Sequence, residues 1–241
     1  MEPTWTSSDG RHVIYHGDCR DILPSIEADT VITDPPYGIN DSPLKGNRGA
    51  TNDWHPPSTW DGFIDPEWPR LVSVTAPVIA WFGQWKKREE VAAEMRLPLR
   101  AEIVWAKDYH SAPPCPLAPR DERIWIFSVS RLQPLRFETS VWDEPAIPTW
   151  AHKWHKNEKP IYLMRRLVSW LPGKTILDPF MGSGTTGVAC IRTGRQFIGI
   201  EIERRYVDIA IRRMERELAQ ARLPFAEPEP QPVQAALWQE K

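Results

Sequence analysis

A doubly wound α/β fold with a mostly parallel sheet is what this sequence of 241 residues predicts, and three observations carry the prediction. Two short β-rich runs, Thr30-Val31-Ile32-Thr33 and Thr175-Ile176-Leu177, each lead into an acid followed by proline, Asp34-Pro35-Pro36 and Asp178-Pro179. The second run continues through a glycine-rich turn, Gly182-Ser183-Gly184, into a helical pattern and then a strand-like run ending on Glu201, the order of a βαβ unit. Open α/β sheets bind ligands at the carboxyl ends of their strands. Both Asp-Pro turns therefore belong to one site assembled from the two ends of the chain.

The elements follow in order. Val13-Ile14-Tyr15 reads as a strand entering the turn His16-Gly17-Asp18-Cys19, and 21–26 reads as a short helix. The segment 38–69 is rich in Gly, Asn, Asp, Pro and Trp without periodicity, which predicts a long loop or lid. Val78 to Phe82 is a buried strand and 86–95 a short helix. Two more strands are expected around Ile103-Val104-Trp105 and Ile124 to Val129, with irregular segments at 108–120 and 131–154. Proline at 160 and apolar spacing at Ile161, Leu163, Met164, Leu167 and Val168 predict a helix to Trp170. Thr185 to Thr193 is the helix of the βαβ unit, Gln196 to Glu201 its second strand, and 203–222 a closing amphipathic helix. The expected organisation is one domain over 1–222 and a Pro-Glu tail over 223–241 that cannot bury a core.

Thirty basic against thirty-two acidic residues leave a formal charge of -2, which does not advertise a polyanion partner. The basic run Lys153-Trp154-His155-Lys156-Asn157 is, by itself, more commonly solvated charge than a nucleic-acid site. Cys19, Cys115 and Cys190 have no metal-ligand spacing, so reduced thiols in a cytoplasm are expected and no metal site. No signal peptide or long apolar stretch is visible. Of thirteen tryptophans, Trp81, Trp105 and Trp125 lie in strand-like runs and read as core. Trp54, Trp60, Trp142, Trp150 and Trp154 lie in polar, Pro-rich text, where they anchor loops or stack on bases.

Acid rather than lysine at the first strand end, and no complete Gly-x-Gly-x-x-Gly, disfavour a dinucleotide or a nucleoside triphosphate. Glycines at 182 and 184 let a backbone approach a ligand, and Glu201 can hold two ribose hydroxyls.

Asp34-Pro35-Pro36-Tyr37, then His155-x-x-x-Lys159-Pro160, then Asp178-Pro179-Phe180-Met181-Gly182-Ser183-Gly184 resembles the amino-group DNA methyltransferases that use S-adenosyl-L-methionine. The order, catalytic motif first and cofactor motif last, is similar to their circularly permuted β class, and the resemblance covers about 11–215. It implies a Rossmann-like class I methyltransferase fold. By resemblance Asp178, Pro179, Phe180, Gly182, Ser183, Gly184 and Thr185 line the cofactor, and Glu201 binds its ribose. Asp18, with Cys19, meets its adenine, and Lys159 with Asn157 lies near its methionine end. The text around His155 departs from the family's usual opening, with Lys156 and Asn157 there. Glu203 reads as a solvated acid in the first turn of the last helix.

The chemistry accounts for the first turn. An exocyclic amine on a base is a poor nucleophile because its lone pair is delocalised into the ring. Asp34 and the carbonyl of Pro35 can each accept one amine hydrogen, Tyr37 can stack on the base, and Pro35 and Pro36 fix the backbone. Such an amine is reached only in a base flipped from double-stranded DNA, and the loop with Lys45 and Arg48 is a candidate to close over it. Adenine N6 is the first expectation and cytosine N4 the alternative. An RNA or protein-glutamine methyltransferase is disfavoured by the motif order, and an inactive DNA-binding relative by the intact Asp34, Tyr37, Asp178 and Glu201. Pro114-Cys115-Pro116 suggests cytosine C5 chemistry, which the Asp-Pro-Pro-Tyr turn does not fit. Family resemblance also raises a homodimer on a palindromic target, a restriction-modification setting and a cytoplasmic, bacterial or phage-encoded protein. Gln234 to Trp238 resembles peptides that dock on bacterial sliding clamps, although an unstructured end with an incidental Trp is the favoured reading.

Overall fold

The computed structural model describes residues 2–36, 64–108, 120–132, 137–147, 154 and 158–221. Among them nine strands form one sheet: β1 (Trp5–Thr6), β2 (His12–His16), β3 (Thr30–Thr33), β4 (Val78–Gly83), β5 (Leu99–Ala106), β6 (Asp121–Ser128), β7 (Val141–Asp143), β8 (Thr175–Asp178) and β9 (Gln196–Glu201). Their spatial order is β1-β2-β9-β8-β3-β4-β6-β5-β7. Five neighbouring pairs are parallel and three antiparallel, as the sequence predicts.

The central strands are buried on both faces, which is why Thr30–Thr33 and Val78–Gly83 read as continuous β-branched and aromatic runs rather than alternating ones. Successive residues of β4 still part company: Val78, Ala80 and Phe82 join one core, Ile79 and Trp81 the other. The first core is closed by α4 (Ile161–Trp170), α5 (Thr185–Arg192) and α6 (Arg204–Ala221) through Leu163, Leu167, Ala189, Val207 and Met214. The second is closed by α1 (Cys19–Ile22), α2 (Glu67–Thr75) and α3 (Arg88–Glu94) through Ile22, Val72 and Val91. The chain leaves β8 through α5 toward β9 and leaves β3 through α2 toward β4, in opposite directions across the sheet. The crevice between β8 and β3 is thus the topological switch point.

Three expectations need correction, and one element was not foreseen. The predicted loop 38–69 gives way to α2 from Glu67, because Pro69 falls in the first helical turn, where a missing N–H costs nothing. The irregular segment 131–154 contains β7, which pairs in parallel with β5. Trp142 is fully buried rather than available for base stacking; it meets Trp170 edge-on with ring centroids 6.2 Å apart, and its indole N–H donates to the Thr139 carbonyl. The two residues of β1 add an antiparallel edge that their short run did not announce. Trp81, Trp105 and Trp125 are core residues as read. Among the described residues no helix is long and apolar enough to cross a membrane. Tyr37, Lys45, Arg48, Cys115, His155, Asn157 and the tail with Gln234 to Trp238 lie outside the described residues.

Candidate active site

The two Asp-Pro turns meet because β3 and β8 are parallel neighbours, with Thr30 opposite Ile176 and Val31 opposite Leu177. Asp34 follows β3 and Asp178 ends β8 at the same edge. Both open into a cavity of about 310 Å³, whose wall also includes Pro35, Pro36, Lys159, Pro179, Phe180, Gly182, Ser183, Thr185 and Glu201.

Asp178 is 4% exposed, held by the Thr186 hydroxyl at 2.5 Å and the Phe180 N–H at 3.1 Å. Burial, aided by the charges of Asp34 and Glu201 and opposed in part by the two hydrogen bonds, raises its carboxyl to about 7. Glu201 accepts from the backbone N–H groups of Gly182 and Glu203 at 2.9 and 2.8 Å, and burial raises its carboxyl as well.

The two glycines do different work. A Cβ at Gly182 would meet nothing within 4 Å, so this residue leaves cavity space open; a Cβ at Gly184 would lie 2.8 Å from the Ala210 Cβ. Gly184, with φ 82°, is the N-cap of α5. It does not line the cavity, contrary to the sequence expectation, because it packs against α6. It sets the turn, while Gly182 faces the ligand space.

Across the cavity Asp18 caps α1 through the Arg20 N–H. Its side chain also accepts from the Arg20 guanidinium at 2.5 Å, which holds the carboxyl below its ordinary range. Arg20 bridges onward to Asp65 at 3.3 Å. Cys19 lines the wall with its thiol pushed up to about 12 by burial, which leaves it a packing group. The rim is aromatic: Trp68 of α2 meets Phe180 edge-on at 4.9 Å. Glu203 lies at the mouth, paired with Arg205 at 3.0 Å.

Lys159 reaches Asp34 at 2.5 Å and Glu122 at 3.4 Å. Glu158, also on the wall, pairs with Arg213 of α6 at 2.7 Å. Glu122 and Arg213 escaped the sequence reading, since neither lies in a motif. Glu122 begins a strand instead of ending one, and Arg213 sits among other arginines on a charged helix. Tyr37 and Asn157 cannot be placed, being outside the described residues.

This donor set fits S-adenosyl-L-methionine: a buried carboxylate for a cationic ligand, a clamped acid at the next strand end for hydroxyls, an open glycine and an aromatic rim for a ring. Among the described residues no group of His, Cys, Asp and Glu could hold a metal ion.

Comparisons with known proteins agree with this arrangement. The family model described as DNA methylase, of the N6 and N4 type, matches residues 28–212. The type II methyltransferase M2.DpnII of Streptococcus pneumoniae is 51% identical over 73 residues, 30% of this chain and 27% of that one. The DNA adenine methyltransferase YhdJ of Escherichia coli K12 is 41% identical over 80 residues, 32% of this chain and 27% of that one. The matched segments thus span little more than a quarter of the length of these relatives. The solved structure of the cytosine-N4-specific PvuII DNA methyltransferase superimposes with a TM-score of 0.65 at 16% identity, covering 88% of each chain, which is a likeness of fold. With a family match that runs from just before β3 into α6 and takes in both Asp-Pro turns, the chain belongs to the N6/N4 DNA methylase family.

Proposed function

We propose that this protein transfers a methyl group from S-adenosyl-L-methionine to the exocyclic amine of a flipped base in double-stranded DNA, adenine N6 before cytosine N4. The observation that carries the reading is the convergence of Asp34 and Asp178, from the ends of two adjacent parallel strands, on one cavity. When bound, S-adenosyl-L-methionine supplies a methyl group already activated on a sulfonium. Asp178, Glu201 and the open backbone at Gly182 hold that ligand, and Asp34 with the Pro35 carbonyl accepts the two amine hydrogens, turning the nitrogen lone pair out of conjugation. Positioning is most of the catalysis. Tyr37 and Asn157 are proposed to stack on the base and to support the ligand, as their motifs suggest.

Asp34→Ala tests the reading: transfer to duplex DNA falls by at least roughly 100-fold while cofactor affinity stays within a few-fold. Transfer that persists would remove Asp34 from the chemistry. Digesting the methylated DNA to nucleosides separates N6-methyladenine from N4-methylcytosine, and 5-methylcytosine would end the amine mechanism. The proposal extends to a catalytic domain over 1–222 in a bacterial or phage cytoplasm. A homodimer, read by light scattering, and a clamp contact through Gln234 to Trp238, read by pull-down, are subsidiary proposals.

A further inference from the structure

A chain of buried charges runs behind the catalytic turn. The Lys159 ammonium, with the side chain 8% exposed, lies 2.5 Å from Asp34 Oδ2 and 3.4 Å from Glu122 Oε2. It also sits over the ring of Phe82, 5.3 Å from its centroid. Glu122 in turn accepts from Lys107, which follows β5, through its other oxygen. Three strands thus present partners to one ammonium: β3 through Asp34, β4 through Phe82 and β6 through Glu122. The topology explains how. β6 is antiparallel to β4, with Gly83 opposite Arg123, so the first residues of β6 lie at the same sheet edge as the last residues of the parallel strands.

Burial opposes the charge on Lys159, yet Asp34 and Glu122 outweigh it and raise the ammonium above its ordinary range. Burial likewise works against the Glu122 carboxylate, and Lys159 and Lys107 overcome it and lower that group. An ammonium so enclosed is not a surface charge that wandered inward. Removing either partner would leave an uncompensated buried charge.

We propose that Lys159 and Glu122 are positioning residues for methyl transfer: Glu122 holds the Lys159 ammonium, and the ammonium fixes the rotation of the Asp34 carboxylate so that it stays aimed into the cavity. The inference rests on the proposed function and deepens it. A carboxylate that must accept one hydrogen of a planar amine works only within a narrow range of orientation, and an ammonium 2.5 Å from its Oδ2 favours one rotation about the Cβ–Cγ bond over the others. Lys159 serves Asp34 here rather than the methionine end of the cofactor.

The test uses the full chain, S-adenosyl-L-methionine and duplex DNA. At saturating cofactor, single-turnover transfer falls about 100-fold in Lys159→Met and about 10-fold in the isosteric Glu122→Gln, as expected of a misaimed catalytic group. Cofactor Kd by calorimetry stays within about threefold in both, and Lys159→Arg regains at least about a tenth of the wild-type rate. A Kd raised about tenfold in Lys159→Met with the saturated rate retained would overturn the proposal and return Lys159 to the cofactor. A second readout needs no activity: in the ligand-free protein, the NMR titration of Lys159 moves to lower pH in Glu122→Gln, and an unmoved titration overturns the role of Glu122. Wild-type protein that methylates no amine defeats the proposed function instead, and the lysine titration still decides whether Glu122 holds Lys159.

Discussion

The guanidinium of Arg213 meets the carboxylate of Glu158 at 2.7 Å with side-chain exposures of 15% and 6%. The same guanidinium donates to the Ser183 carbonyl and hydroxyl at 2.9 and 2.8 Å. One side chain of the last helix thereby fastens the glycine-rich turn to the segment that carries Glu158 and Lys159. Arg213→Ala is expected to raise cofactor Kd at least about tenfold and to cost roughly 3–5 kcal/mol of stability, because it strands a buried carboxylate. Arg213→Lys falls between, since an ammonium cannot reproduce the fork. Calorimetry and urea unfolding measure both, and an unchanged Kd would show that the turn keeps its shape unaided.

If Asp178 meets the cofactor as proposed, it should couple ligand binding to pH. Its carboxyl, lifted from 3.8 to about 7, keeps a proton near neutrality that a bound cation would expel. Cofactor affinity should therefore rise as pH increases toward about 7 and level off above it, with proton release visible by calorimetry in buffers of different ionisation enthalpy. Asp178→Asn should flatten the profile. For folding the sign is opposite: the native state holds a proton that the unfolded chain releases, so this group's contribution to stability declines between pH 3.8 and about 7 and is flat beyond.

The two glycines of the turn should separate stability from binding. Gly184→Ala places a side chain at φ 82° and against Ala210, and should cost about 2–4 kcal/mol in urea unfolding. Gly182→Ala, at φ 52° with open space around it, should cost only about 1 kcal/mol but reduce cofactor affinity more strongly. Equal effects of both on Kd would show that the distinction between turn and cavity is wrong.

Trp142 is a core residue, and its substitution should behave as one. Trp142→Ala removes a side chain packed on Trp170 and faced by the Arg166 guanidinium at 4.4 Å, for an expected loss of about 3–5 kcal/mol. Trp142→Phe, which keeps an aromatic ring but loses the N–H to the Thr139 carbonyl, should leave DNA affinity in a filter-binding assay unchanged. A fall in DNA affinity without a fall in stability would return Trp142 to the binding surface.

Sequence alone determined the strands that end on Asp34, Asp178 and Glu201, the glycine-rich turn and the permuted motif order. These are local: β-branched runs, proline after acid and glycine pairs mark strand ends within a few residues. Trp81 and Trp125 were legible as core for the same reason, whereas Trp142 was not, because three residues of strand in polar text give no period to read. The start of α2 was hidden by prolines that forbid a helix interior but suit its first turn. Only the tertiary structure brought β3 beside β8, separated Gly182 from Gly184, and set Glu122 and Arg213 behind the site. Both of those act across long stretches of chain, from the start of a strand that runs antiparallel away from the edge and from the inner face of a charged helix. No spacing in the sequence encodes such meetings; they exist because the sheet order places their elements side by side.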